Sequence, residues 1–153
     1  MKKFFPLATY FTLLIISFFF STDVFSSQKA IDNHQTFGDY SVHYALFNST
    51  FIQPDIAAIH NLKRSKYENI INLSVYKKGN NGTVPAKIHG SSKNLMQQLK
   101  DLNIIEVKEE SAIYYLIPFR ISSKEILHFD FEVTPQGTDK ALNVKFSKTV
   151  YPE

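Results

Sequence analysis

The stretch Ala112-Ile113-Tyr114-Tyr115-Leu116-Ile117-Pro118-Phe119-Arg120-Ile121-Ser122-Ser123-Lys124-Glu125-Ile126-Leu127-His128-Phe129-Asp130-Phe131-Glu132-Val133-Thr134 decides the fold class. Ile113, Tyr115, Ile117, Phe119 and Ile121 place a large apolar side chain at every second position. Leu127, Phe129, Phe131 and Val133 resume the alternation, with His128, Asp130 and Glu132 between them. A period of two sends successive side chains to opposite faces, as in a strand with one buried face; a helix would smear those charges around its circumference. Tyr114 and Leu116 make the second face of the first run apolar as well, which marks a central strand covered on both sides. The two long strands are joined by a short polar loop around Ser122-Ser123-Lys124.

The same alternation extends outward. Tyr40, Val42, Tyr44 and Leu46 predict a strand to about Phe47, opened by Phe37-Gly38-Asp39. Ile71, Leu73 and Val75 predict a second over Tyr67 to Tyr76, and Lys77 to Thr83 reads as a turn because Gly and Asn tolerate positive φ. Val84 to Gly90 is a weaker strand, and Pro85 suits an edge, where no ladder donor is needed. Ile104/Ile105 to Lys108 and Leu142 to Tyr151 complete the set. Ser27 to Thr36 reads as a loose polar lead-in. Pro54 to Ile59 fits one helical turn with Pro at its first position. Leu95, Leu99 and Leu102 lie at helical spacing, with Ser92 or Asn94 as a cap, so Ser91 to Leu102 is expected as a short helix plugging one end of the sheets. About seven strands with one short helical insert and closely spaced turns indicate an all-β fold, an antiparallel β-sandwich, with a small closed barrel as the alternative.

The chain opens with Met1-Lys2-Lys3 and an apolar run from Phe4 to Phe20, the pattern of a secretory signal peptide. Val24-Phe25-Ser26 resembles a small-x-small cleavage signal, so the cut is expected near Ser26, leaving residues 27–153 as a single domain. A retained signal anchor is the alternative; Pro6 and the modest length argue against a span of about 20 apolar residues. Expectation is therefore an exported protein with no stable membrane span after leader removal. Cysteine is absent, which excludes disulfides, thiolate metal sites and a cysteine nucleophile. Losing Lys2, Lys3 and Asp23 lowers the formal net charge of +3 by one, and no lysine-arginine cluster of nucleic-acid type exists.

Chemistry is sparse. His34, His43, His60, His89 and His128 are dispersed, with no His-Glu-x-x-His and no i, i+4 pair. His43 and His128 both point outward from strands and would form a metal site if they met across a sheet; solvated surface histidines are the simpler reading. Asp130 and Glu132 share one face of a strand, where Lys145 and Lys148 on the next strand suggest surface ion pairing rather than acid-base catalysis. Asp39, His43 and a serine supply the residue types of a triad, but nothing resembles Gly-x-Ser-x-Gly, and there is no phosphate loop or dinucleotide fingerprint. Of the aromatic residues, Tyr76 and Tyr114 lie off the main inward faces. No catalytic, cofactor-binding or metal-binding residue is assigned, and no cofactor is expected.

Several stretches carry a resemblance. Phe37-Gly38-Asp39-Tyr40-Ser41-Val42-His43-Tyr44, Phe47-Asn48-Ser49-Thr50-Phe51, Arg64-Ser65-Lys66, Ala112-Ile113-Tyr114-Tyr115 and Phe129-Asp130-Phe131-Glu132-Val133-Thr134-Pro135 resemble the domain-of-unknown-function 4426 family of exported bacterial proteins. Glu110 stands where that pattern leads one to expect a glycine. The resemblance implies export to the periplasm and an immunoglobulin-like β-sandwich; it supplies no activity, substrate or catalytic residue. Two functions stay open: a non-enzymatic binding or interaction module whose partner is another periplasmic or envelope protein, docking at a sheet edge such as Val84 to Gly90, or a small-ligand-binding protein or hydrolase with a pocket near His43, Arg64 and Tyr114.

Overall fold

A computed structural model of the chain describes residues 33–110 and 112–153; the expected leader and its cut near Ser26 lie outside them. The elements run β1 (His34–Phe37), β2 (Tyr40–Asn48), a 3-10 turn (Ser49–Phe51), α1 (Pro54–Ile59), β3 (Glu68–Lys77), β4 (Ala86–Asn94), β5 (Leu99–Asp101), β6 (Ile105–Lys108), β7 (Ile113–Arg120), β8 (Glu125–Pro135) and β9 (Leu142–Val150). They build two antiparallel sheets, ordered β1-β2-β3-β7-β6 and β5-β4-β8-β9. The fold is an all-β sandwich.

Alternation explains why these segments are strands and which face each one buries. From β8, Leu127, Phe129, Phe131 and Val133 point inward and meet Ile71, Leu73 and Val75 of β3 and Tyr115, Ile117 and Phe119 of β7. The Phe119 and Phe129 rings meet edge to face at 5.3 Å, and Tyr44 stacks on Phe146 at 4.1 Å, so aromatic pairs bridge the two sheets. The second apolar face of β7 is also used. Leu116 packs with Ile70, Val107, Ala57 and Leu62 in a separate cluster where α1 covers the outer side of the first sheet. Pro54 starts α1 at its first turn, as its fixed φ favours.

Side-chain hydrogen bonds close the seams between the sheets. On one side, Gln35 Nε2 of β1 donates to the Lys145 carbonyl of β9 at 2.7 Å. On the other, the buried Tyr115 hydroxyl accepts from Ala86 N–H at 2.7 Å and donates to Ala86 C=O at 2.8 Å.

All seven expected strands are present, and two more appear. Most of β1 falls in what reads as a loose lead-in, because the polar His34, Gln35 and Thr36 hide a ladder with β2. β5 replaces the expected helix. Ser91 to Leu102 is strand, turn and strand: Ser91, Ser92, Lys93 and Asn94 pair with Asp130 through Leu127, and the chain reverses at Gln97, which has φ 64°. Asn94 closes that turn by accepting from Gln98 N–H at 3.0 Å and donating from Nδ2 to Gln98 Oε1 at 2.6 Å. A helix there would need somewhere to bury its stripe. Leu95, Met96 and Leu99 are instead 64%, 74% and 67% exposed, and the ladder to β8 offers the backbone more than an isolated short helix does.

The expected edge at Val84 to Gly90 is mostly closed. β4 pairs with β8 along its length and with β5 from Ser91 to Lys93. On the remaining side, Ala86 is held by Tyr115, and the Gly90 carbonyl accepts from Leu102 N–H at 2.9 Å.

Candidate functional site

Several places on the sandwich gather chemically capable side chains: His89, Asp101, Asp130 and Glu132 line a cavity of about 420 Å³, and two other places hold a histidine against a serine. The first of these two is the outer face of the five-stranded sheet at the β1–β2 hairpin. Gly38, with φ 62°, opens the two-residue turn, a conformation most side chains avoid. That turn sets the register, so His34 lies directly opposite His43 and Thr36 opposite Ser41. Tyr44 N–H donates to the Asn33 carbonyl at 2.8 Å, so the neighbouring His34–His43 pair is of the non-hydrogen-bonded type, whose side chains approach most closely. The two imidazoles stack with centroids 4.9 Å apart and planes 18° from parallel. Tyr76 of β3 meets His43 edge-on at 4.8 Å, and Ser41 Oγ lies 3.2 Å from His43 Nε2. Partial burial, and then the charge of His34, push the His43 pKa below the usual imidazole value. A cavity of about 430 Å³ opens here, lined by these residues with Asp39, Lys77 and Lys78.

The second is at the foot of the β4–β5 hairpin. A cavity of about 530 Å³ is lined by Lys93, Leu99, His128, Lys145 and Ser147, and by Phe129 and Phe146. His128 Nδ1 lies 2.6 Å from Ser147 Oγ, and Lys145 Nζ pairs with Asp130 Oδ2 at 2.6 Å. Beyond it stand Leu95, Met96 and Leu99, flanked by Lys93 and Lys100 with no acidic residue between.

The pocket expected near His43, Arg64 and Tyr114 is not assembled. Arg64 donates to the Thr50 carbonyl at 2.9 Å beside the 3-10 turn. Tyr114 shares the outer face with His43 but donates its hydroxyl to Glu109 Oε1 at 2.6 Å and packs in the α1 cluster. That hydrogen bond, with burial, pushes the Tyr114 pKa up to about 12, so the phenol gives up its proton less readily than a free tyrosine. Neither Arg64 nor Tyr114 lines the cavity at His43. His43 and His128 sit in different sheets and cannot meet across one. The residue that does meet His43 is His34, which the sequence left in the lead-in; its signal would have been a histidine nine residues upstream across a Gly-Asp turn.

The triad types come partly together. Ser41 reaches His43, and Asp39 lines the same cavity, yet among the described residues no hydrogen bond joins Asp39 to His43. Without an orienting carboxylate the pair lacks the arrangement that activates a serine. Asp130 is ion-paired to Lys145 as its register requires, while Glu132 faces Asn143 and His89 rather than Lys148. Among the described residues no group of three or more His, Asp or Glu is placed to hold a metal, and no helix is long and apolar enough to cross a membrane.

Comparison with known proteins agrees with this fold. The crystal structure of a DUF4426 family protein from Pseudomonas aeruginosa PAO1 is 40% identical, covers 78% of this chain and 94% of its own, and superposes with a TM-score of 0.71. FetP from uropathogenic Escherichia coli strain F11, expressed in the periplasm and crystallised as isolated, shares 9% identity over 77% of this chain and 92% of its own, with a TM-score of 0.55. A copper-bound variant of that FetP gives 0.56 over 77% and 93%. At such low identity the FetP likeness concerns the fold alone. No curated protein matches the chain. Residues 34–153 match the family described as Domain of unknown function (DUF4426), and the chain belongs to that family.

Proposed function

We propose that this chain is an exported, periplasmic, non-enzymatic interaction module that contacts another envelope protein through its β4–β5 hairpin. One observation carries the reading: three large apolar side chains, Leu95, Met96 and Leu99, stand exposed on a hairpin whose own turn is tightly hydrogen-bonded. Isolated exposed apolar residues need no explanation, whereas a cluster on a rigid projection marks a contact surface. The basic and apolar opening, Met1 to Phe20, supports export. Among the described residues no hydrogen bond joins His43 to a carboxylate, and Asp130 is ion-paired to Lys145, which favours binding over hydrolysis.

A photo-crosslinking residue in place of Met96, expressed in cells and followed by fractionation, tests this. The expected result is a periplasmic adduct with one envelope protein, reproduced with that protein purified and abolished by Leu95→Glu with Leu99→Glu. A chain confined to the cytosol, or purified protein that forms no adduct and turns over a substrate, overturns it. The small-ligand alternative now has a different address, the cavity at the hairpin foot, lined by Lys93, His128 and Lys145 together with Phe129 and Phe146.

A further inference from the structure

The geometry points to a metal-binding site on the opposite sheet from the hairpin: we propose that His34 and His43 jointly chelate a borderline divalent cation such as Cu²⁺ or Zn²⁺. The argument starts from the ladder. A directly opposed, non-hydrogen-bonded pair brings two Cβ atoms to about 4.5–5.5 Å on one face of a sheet. Here both residues of such a pair are histidines, and their rings already lie 4.9 Å apart. Two imidazole nitrogens bound to one ion each sit about 2.0–2.1 Å from it. Adjacent ligands at that radius are roughly 3 Å apart, so modest rotation about the side-chain bonds turns the stacked rings into a chelate.

The strands that carry the pair are held firmly. β1 is tied to β2 at the Gly38 turn and to β9 through Gln35, so the cost of bringing the ligands together is met when the chain folds. Imidazole nitrogen selects Cu²⁺, Zn²⁺ and Ni²⁺ over Mg²⁺ and Ca²⁺. The surroundings provide room and oxygen: Ser41 Oγ is already against His43, and Asp39 and Tyr76 line the same cavity. The pair supplies two protein nitrogens, and water or an incoming ligand would complete the coordination. That is the pattern of an exchangeable or carrier site; a structural site is closed by four protein ligands. The inference is independent of the hairpin reading, since β2 and the β4–β5 hairpin belong to different sheets.

Isothermal titration of the exported protein, purified without a histidine tag, tests it with ZnCl₂ and CuCl₂, and with MgCl₂ as the hard-cation control. One ion should bind per chain with Zn²⁺ or Cu²⁺ and none with Mg²⁺. His34→Ala and His43→Ala should each weaken binding by about tenfold or more, while His89→Ala and His128→Ala should not. His34→Gln and His43→Gln, which keep polar side chains on the same face, should behave like the alanine variants, with circular dichroism confirming the fold. Electron paramagnetic resonance of the Cu²⁺ complex should show two nitrogen ligands, reduced to one in either single variant. No binding by the unsubstituted protein, binding unchanged in both the His34 and His43 variants, or binding lost equally on replacing His89 or His128 would each overturn the proposal.

Discussion

Gly90 of β4 lies directly opposite Phe131 of β8, and the ring fills the space a larger side chain would need: a Cβ at position 90 would stand 2.4 Å from Phe131 Cδ1 and Cε1. Phe131 is fully buried, so it has no room to yield. Gly90→Ala should therefore cost about 1–3 kcal/mol, as overpacking does, and Phe131→Ala about 3–5 kcal/mol through the cavity it leaves. Urea denaturation of the two variants and of the double variant checks this. A double variant less destabilised than the sum of its parts shows that the two positions compete for one space.

Tyr115 closes the seam at Ala86, so its hydroxyl matters more than its ring area suggests. Tyr115→Phe keeps the packing but leaves the Ala86 N–H and C=O without their partner; the expected loss is about 1–3 kcal/mol by chemical denaturation.

Two tyrosines make stability sensitive to alkali. Burial pushes the Tyr115 pKa up, and the hydrogen bond to Glu109, followed by burial, pushes that of Tyr114 up to about 12. Both shifts favour the neutral phenol in the folded chain. The stability they contribute is fully present below the ordinary tyrosine value of about 10 and is lost as pH rises through the folded values. Thermal melts between pH 9 and pH 12 should show that decline, and Tyr114→Phe should flatten the part of it that lies nearest pH 12.

His43 acts at the acid end. Burial and then the His34 charge lower its pKa, so the folded chain prefers the neutral ring. That stability is present above the ordinary histidine value of about 6.5 and is lost as pH falls through the lower folded value. Lys77 and Lys78 line the same cavity as His34, and Asp39 opposes them. His34→Ala should raise the His43 pKa toward its ordinary value in an NMR titration; an unchanged value would show that burial alone sets it.

Replacing Leu95, Met96 and Leu99 together with serine should change stability by no more than about 0.5 kcal/mol per site, because these side chains are already in water. The same triple change in a helix plugging the sandwich would remove core contacts and cost several times more. Equilibrium denaturation thus separates the two structures directly.

The contrast between Phe129 and Leu99 shows how far the sequence reads. Phe129 sits in an unbroken alternation, and one buried face is the only arrangement that satisfies it, so β8 was legible to within two residues. Leu95, Leu99 and Leu102 match a helical period through three residues only, and such a short match does not distinguish a helix face from a hairpin tip that leaves apolar side chains in water. His34 was invisible for another reason. A four-residue edge strand with three polar residues before Phe37 is too short to carry a periodic signal, and its place is set by the partner strand and by the turn at Gly38.

By itself the sequence determined that the chain is all-β, where seven of its strands lie, which faces they bury, and that no thiol chemistry is available; these follow from local alternation and composition, which each segment carries within itself. Only the tertiary structure decided that β7 and β8, adjacent in the chain, belong to opposite sheets, that His43 meets His34 rather than His128, Arg64 or Tyr114, and that Tyr115 and Gln35 close the seams. Those outcomes depend on how two twisted layers pair and stack, and contacts between residues distant in sequence are chosen by the packing of the whole core, which no single segment encodes.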